Sequence, residues 1–258
     1  MSIIDKTIVC GSFSRAADLY DSLALFQRHL NEKMLCQLPE RLPRGYQPTN
    51  ILDAGCGTGF GIQCLKNFWP DVSMTGCDIS QEMVDAMHRK HLEAIVGDIE
   101  NLPFDSGSFD FVWSCLALQW TIPGIAFREF FRVLKENGFL YFATLAPGSL
   151  KELDEAFAGV DQSKHTLSFT PLGQIQDTLA EVGFREINLQ QNTFQMFYPD
   201  IRSVIASIRD IGAGGVSNRR TSLLGKHAWQ NIQERYESFR TESGLPVSYE
   251  VIIGTAIR

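Results

Sequence analysis

Leu52-Asp53-Ala54-Gly55-Cys56-Gly57-Thr58-Gly59 is the stretch that decides how this 258-residue chain is read. Asn50–Ala54 reads as a buried strand. The glycines at every second position after it let the backbone turn sharply and approach a ligand without Cβ clashes. The dinucleotide fingerprint G-x-G-x-x-G, started at Gly55, would require a glycine where Phe60 stands, so that form fails. A G-x-G-x-G turn behind an acidic strand end suits a ligand with an amino-acid end. Asp53 would then meet a positive charge, directly or through water.

Working outward, short apolar runs alternate with helix-like stretches. A helix is expected near Gly61–Trp69 and a second strand at Val72–Asp78, followed by a helix capped by Ser80 and running to about Lys90. Strands follow at Glu93–Gly97 and Phe109–Ser114. A helix at Ala126–Leu134 should stop at Asn137-Gly138 before strand Phe139–Leu145. This rhythm predicts an α/β fold, a parallel sheet with helices on both faces. Beyond it, Thr170-Pro171 should open a helix that stops at Gly183. Glu186–Tyr198 and Val247–Ile257 read as two more strands.

Some 45 residues separate those two strands, too many for a hairpin loop. They should build helices of their own near Ile201–Ile211 and Ala228–Phe239, giving an insertion over residues 199–245 that covers one end of the sheet. Residues 1–48, helical around Ala16–Leu38, should form a second cover. The expectation is a single domain with its binding core at 49–146.

Composition sets the bounds. Hydrophobic residues at 44% and charged residues at 21% supply a real core and fit neither disorder nor coiled coil. Eighteen Phe suggest aromatic packing or an apolar pocket. The longest apolar stretches are strand-sized, and the first ten residues have no apolar h-region, so the cytoplasm is the expected compartment. Six cysteines without a C-x-x-C pair argue for free thiols. A net charge of −7 argues against nucleic acid. His88 and His91 have no third ligand nearby and read as surface residues, so no metal is expected.

Two further carboxylates stand at strand ends. Asp78 closes the second strand, 21 residues after Gly57, where it can accept from both ribose hydroxyls of a nucleoside. Asp98 closes the third and can accept from an adenine amino group, with Ile99 against the ring. Three such acids beside one glycine turn make a site far more specific than any one of them.

This constellation resembles the class I S-adenosylmethionine-dependent methyltransferases. The resemblance implies the strand order 3-2-1-4-5-7-6, with the last strand antiparallel. It puts the methionine part on Asp53, Gly55, Cys56 and Gly57, the ribose on Asp78 and adenine against Asp98 and Ile99. It also places Ile79, Met83 and Ser114 beside the cofactor. Four flanking pieces are similar to the malonyl-acyl-carrier-protein O-methyltransferases of biotin synthesis. They are Phe13-Ser14-Arg15-Ala16-Ala17-x-x-Tyr20, Leu116-Ala117-Leu118-Gln119-Trp120, Thr144-Leu145-x-x-Gly148-Ser149-Leu150-x-Glu152-Leu153 and Ser207-Ile208-Arg209-Asp210-Ile211-Gly212-Ala213. That family methylates the free carboxylate of a malonyl thioester, on acyl-carrier protein or coenzyme A, releasing S-adenosylhomocysteine. A methyltransferase for another small acceptor, such as a phenol or quinone precursor, is the nearest alternative.

A carboxylate acceptor is already ionised at pH 7 and needs no general base, but it needs orientation, for which a guanidinium is the natural bidentate partner. Residues 202–226 carry Arg202, Arg209, Arg219, Arg220 and Lys226 against Asp210, a net of +4 on a chain whose remainder carries −11. Such a segment fits an acidic carrier protein or a coenzyme's phosphates. Arg209, ahead of Gly212, is the candidate for the malonyl carboxylate, with Arg202 as a second contact. Tyr20 should close over the cofactor, and Gln119 and Trp120 should meet the substrate.

Overall fold

The computed structural model describes residues 5–160, 167–213 and 225–258. Seven strands make one sheet: β1 (Asn50–Ala54), β2 (Ser73–Asp78), β3 (Ala94–Val96), β4 (Phe109–Cys115), β5 (Leu134–Leu145), β6 (Arg185–Tyr198) and β7 (Leu245–Ile257). Their order is β3-β2-β1-β4-β5-β7-β6. The first five run parallel, and β7 is antiparallel to both its neighbours. The order reverses between β1 and β4, and an open α/β sheet binds its ligand in the crevice at such a point.

The helices are α1 (Lys6–Ala16), α2 (Tyr20–Leu23), α3 (Leu25–Arg41), α4 (Phe60–Phe68), α5 (Gln81–Arg89), α6 (Pro123–Val133), α7 (Lys151–Phe157), α8 (Leu172–Val182), α9 (Ile201–Ile208) and α10 (Lys226–Glu237). Among the described residues, no helix is long and apolar enough to cross a membrane. The central strands β4, β5 and β7 are buried along most of their length because both faces are covered. Ile51, Phe111, Trp113, Phe139 and Tyr141 enter one core with α3 and α4. Leu52, Val112, Leu140 and Phe142, one residue out of phase, enter the other with α6 and α8. Burying each such side chain stabilises by roughly 1.5–3 kcal/mol.

Three local expectations need correction. The helix before β5 ends at Val133, and Asn137-Gly138 lies inside the strand element, with Asn137 at φ 61°. Tertiary pairing decides this: Leu134 already pairs with Phe109, and Asn137 N–H and Gly138 C=O bond to Arg258 at the end of the chain. Pro171, not Thr170, occupies the N-cap of α8, although Gly183 ends that helix at φ 108° as expected. The N-terminal cover begins a full helix earlier than its periodicity shows. Asp5 caps α1, its side chain accepting from Thr7 and Ile8 N–H at 2.9 and 3.3 Å.

The insertion is held by apolar packing. Ile201, Val204, Ile232 and Tyr236 are buried in one cluster with Leu153 and Ala156 of α7 and Val247 of β7. A π-helical turn, Arg209–Ala213, continues α9 and packs on α1. Arg219 and Arg220 lie outside the described residues.

Candidate functional site

The glycine turn is drawn against the end of β2. Gly55 and Cys56 N–H both donate to Cys77 C=O, at 2.8 and 3.2 Å, and Gly57 N–H donates to the Asp78 carboxylate at 2.9 Å. Gly55 has φ +79°, and a Cβ there would sit 2.2 Å from Ala117 Cβ, so no other residue fits. Asp78 also accepts from Ser80 N–H at 3.0 Å. Burial raises its pKa and these backbone bonds oppose the rise. Each oxygen keeps lone-pair capacity for a ligand hydroxyl.

Two adjoining cavities open over this turn. The larger, of about 650 Å³ including its open mouth, has Asp78, Ile79, Met83, Asp98 and Ile99 in its wall, roofed by Lys6, Val9 and Phe13 of α1. The smaller, of about 450 Å³, has Asp53, Cys56, Thr58, Gln27, Arg28 and Asn31 around it. Tyr20, Gly55, Gly57 and Cys115 line both. The junction of the two spaces therefore lies at Tyr20.

The structure brings the three strand-end carboxylates together, each in a different setting. Asp53 is 3% exposed. Burial first, and then the charge of Asp78, push its pKa up to about 8, although Ile62 N–H at the start of α4 bonds to it. Gly61 makes room for it, since a Cβ there would meet Asp53 Oδ2 at 2.6 Å and Asn31 Oδ1 at 3.1 Å. Asn31 is itself fixed, accepting from Trp113 Nε1–H at 3.2 Å and donating to Gln27 C=O at 2.8 Å. Asp98 accepts from Glu100 N–H at 2.9 Å and pairs with Lys6 at 2.5 Å. Lys6 also reaches Glu100 at 2.6 Å. Partial burial disfavours the Lys6 charge, but the two carboxylates outweigh it and raise its pKa.

The Tyr20 phenol is pushed well above its ordinary value by burial and then by Asp78, so it stays protonated. Burial, with Asp53 next, raises the Cys115 thiol; burial, with Asp78 next, raises Cys56. These thiols are not nucleophiles at neutral pH. Tyr20, Phe13 and Trp120 form a run of edge-to-face rings, with centroids 6.3 and 5.5 Å apart.

Other expected residues are placed differently. Ser114 is fully buried and its hydroxyl donates to Ala54 C=O at 2.8 Å, tying β4 to β1, while Cys115 forms the wall. Trp120 faces the larger cavity, but Gln119, on the same turn Leu118–Trp120, lines a separate space with Thr144 and Phe169. Arg202 is exposed on α9. Arg209 is 59% exposed, bonded to its neighbour Asp210 at 2.6 Å, and lines neither cavity. Lys6, Asn31 and Arg28 escape sequence reasoning, because nothing in their local pattern separates them from ordinary helix-surface residues.

The donor set matches a nucleoside joined to an amino acid: acids for ribose and adenine in one space, and a buried acid for an ammonium in the next. A methyltransferase domain family matches residues 52–142. The chain is 41% identical to a malonyl-acyl-carrier-protein O-methyltransferase of Herminiimonas arsenicoxydans, over 99% of this chain and 97% of that one. The chain belongs to the malonyl-acyl-carrier-protein O-methyltransferase family. It is also 34% identical to a biotin biosynthesis bifunctional protein of Cellvibrio japonicus, matching 96% of this chain and 49% of that longer one. Among solved structures, a SAM-dependent methyltransferase of Thermotoga maritima, described as a possible histamine N-methyltransferase, shares the fold. Its TM-score is 0.58 at 18% identity, covering 96% of this chain and 98% of that one.

Proposed function

We propose that this protein moves a methyl group from S-adenosylmethionine to the free carboxylate of a malonyl thioester on acyl-carrier protein. The product is the malonyl methyl ester that begins pimeloyl-chain synthesis for biotin. The observation that carries this reading is the paired cavity over one glycine turn, with Asp78 and Asp98 in one half and Asp53 in the other. Membership of the family supports the acceptor.

In this reading Asp78, with Ile79 and Met83 beside it, holds the ribose, and Asp98 and Ile99 frame adenine. Asp53, Gly55, Cys56 and Gly57 hold the amino-acid end. When bound, S-adenosylmethionine supplies an electrophilic methyl group on a sulfonium sulfur. The malonyl carboxylate arrives ionised, so no side chain has to remove a proton. The protein's work is alignment and exclusion of water. Tyr20 closes the junction of the cavities as a neutral phenol. Among the described residues its hydroxyl has no hydrogen-bond partner, and it is free to donate to the acceptor. Arg209, released from Asp210, and Arg202 orient the malonyl carboxylate. Residues 199–245 act as the acceptor-side lid, with Gln119 and Trp120 at its margin, and the basic segment meets the acidic carrier. In this reading the enzyme works in the cytoplasm.

A phenolic acceptor would require a base beside the reacting oxygen. Among the described residues no histidine lines either cavity, Tyr20 and Cys115 are held protonated, and the raised Asp53 carboxyl is taken up by the cofactor's amino-acid end in this reading. The test is methyl transfer from labelled S-adenosylmethionine to malonyl-acyl-carrier protein, with acetyl and succinyl thioesters as controls. Label on the malonyl species alone, as a base-labile ester, is the expected outcome. Cofactor binding without transfer would remove the acceptor assignment.

A further inference from the structure

The amino-acid end of the cofactor carries two opposite charges, and the smaller cavity has an answer for each. Asp53 at its floor meets the ammonium. The carboxylate needs a cation, and among the described residues lining this cavity the only cationic side chain is Arg28 of α3. We propose that Arg28 binds the α-carboxylate of the cofactor's methionyl group and so sets the cofactor's orientation along the cavity. This inference rests on S-adenosylmethionine being the cofactor.

Arg28 is already held in place from two sides. Its guanidinium lies over the ring of Phe60, 4.8 Å from the centroid, and one Nη1–H donates to Asp21 C=O at 3.0 Å. Among the described residues its other N–H donors have no hydrogen-bond partner, which leaves the fork available for a planar anion. Phe60 is the first residue of α4; Ile62 N–H of that first turn bonds to Asp53, and the neighbouring N–H groups add positive potential at the same wall.

The other acid nearby does not compete. Asp21 is occupied by Lys90 at 2.6 Å and by the Thr58 hydroxyl, and these bonds hold its pKa below the ordinary value despite burial. Among the described residues the wall therefore carries one cation without an acidic partner and one buried carboxyl, the pattern that selects a zwitterion over a simple amine or acid. With both charges engaged, the sulfur is directed toward Tyr20 at the cavity junction.

The test compares ligands with and without the carboxylate. Binding of S-adenosylhomocysteine and of its decarboxylated amine is measured by calorimetry for the wild type, Arg28→Gln and Arg28→Lys. Arg28→Gln should weaken S-adenosylhomocysteine roughly ten- to a hundred-fold and change the amine less than two-fold. Arg28→Lys should recover part of the loss, because it keeps charge but not the fork. Equal weakening of both ligands would mean that Arg28 only shapes the wall, and the inference would fall. Unchanged S-adenosylhomocysteine affinity with a raised KM for the malonyl thioester would also overturn it, giving Arg28 to the acceptor. A wild type that binds neither ligand would instead remove the cofactor reading itself.

Discussion

The two covering pieces of this fold differ in how they are held. The N-terminal cover is fastened by polar bonds to the loops that form the cofactor site. Lys6 pairs with Asp98 and Glu100, Cys10 bonds to Ile79 C=O, and Ser14 bonds to Ser80 and Glu82. Asp21 is held by Thr58 and Lys90. Among the described residues, the insertion of residues 199–245 is anchored by buried Ile201, Val204, Ile232 and Tyr236, and its π turn packs on α1 and α2. Polar fastening is directional and shares its groups with the ligand; apolar anchoring is strong but indifferent to what lies in the cavity. In our reading the first cover thus belongs to cofactor recognition and the second to the acceptor.

The largest effect should come from the residue the N-terminal cover closes upon. Asp78→Ala removes the proposed ribose acceptor and the tie to Gly57, and should weaken S-adenosylhomocysteine at least about a hundred-fold by calorimetry. A smaller loss than about five-fold would separate the glycine turn from cofactor binding. Next, Ile232→Ala in the insertion should cost about 2–4 kcal/mol in denaturant unfolding while leaving cofactor affinity unchanged. A parallel loss of affinity would erase the contrast between the two covers.

Asp53 adds a pH signature. Its pKa rises from an ordinary 3.8 to about 8 in the folded protein, so between those values the folded state binds more protons than the unfolded one. Stability should therefore fall as pH rises through this window, and Asp53→Asn should abolish that fall in melting curves. The ligand's ammonium favours the charged carboxylate, so binding should release a proton and tighten several-fold from pH 6 to pH 8. Calorimetry in buffers of different ionisation enthalpy reads the release directly.

Arg209→Ala should lower kcat/KM for malonyl-acyl-carrier protein about ten-fold with the cofactor KM unchanged. Full activity would end the role proposed for this arginine. The smallest effect is expected at Lys6→Met, a part-exposed pair whose loss should raise the cofactor KM only a few-fold.

The β-α-β core was legible because its signals are local. Asn50–Ala54 is a strand at the expected residues, Ser80 caps α5, and glycine spacing announces the turn. The start of α1 was not legible. Lys6–Ala16 contains Thr7, Ile8, Val9 and Gly11, poor helix formers whose run reads as extended or irregular. Docking of Lys6, Cys10 and Ser14 onto the strand ends compensates for that weak propensity. Asn137-Gly138 misleads for a related reason: the pair is a good local stop, yet β4 and the last residue of the chain claim the backbone around it.

What the sequence determined by itself was the α/β class and the acids at three strand ends, since both follow from short-range pattern and spacing; the strand order came with the family resemblance. Only the tertiary structure decided that Lys6 caps the Asp98 end, that Ser114 turns away into the sheet, and that Gln119 and Trp120 face different spaces. It also brought Arg28 and Asp53 to the wall of one cavity. Those outcomes depend on where separate helices meet over the sheet, and contacts between residues dozens of positions apart leave no local trace in either partner.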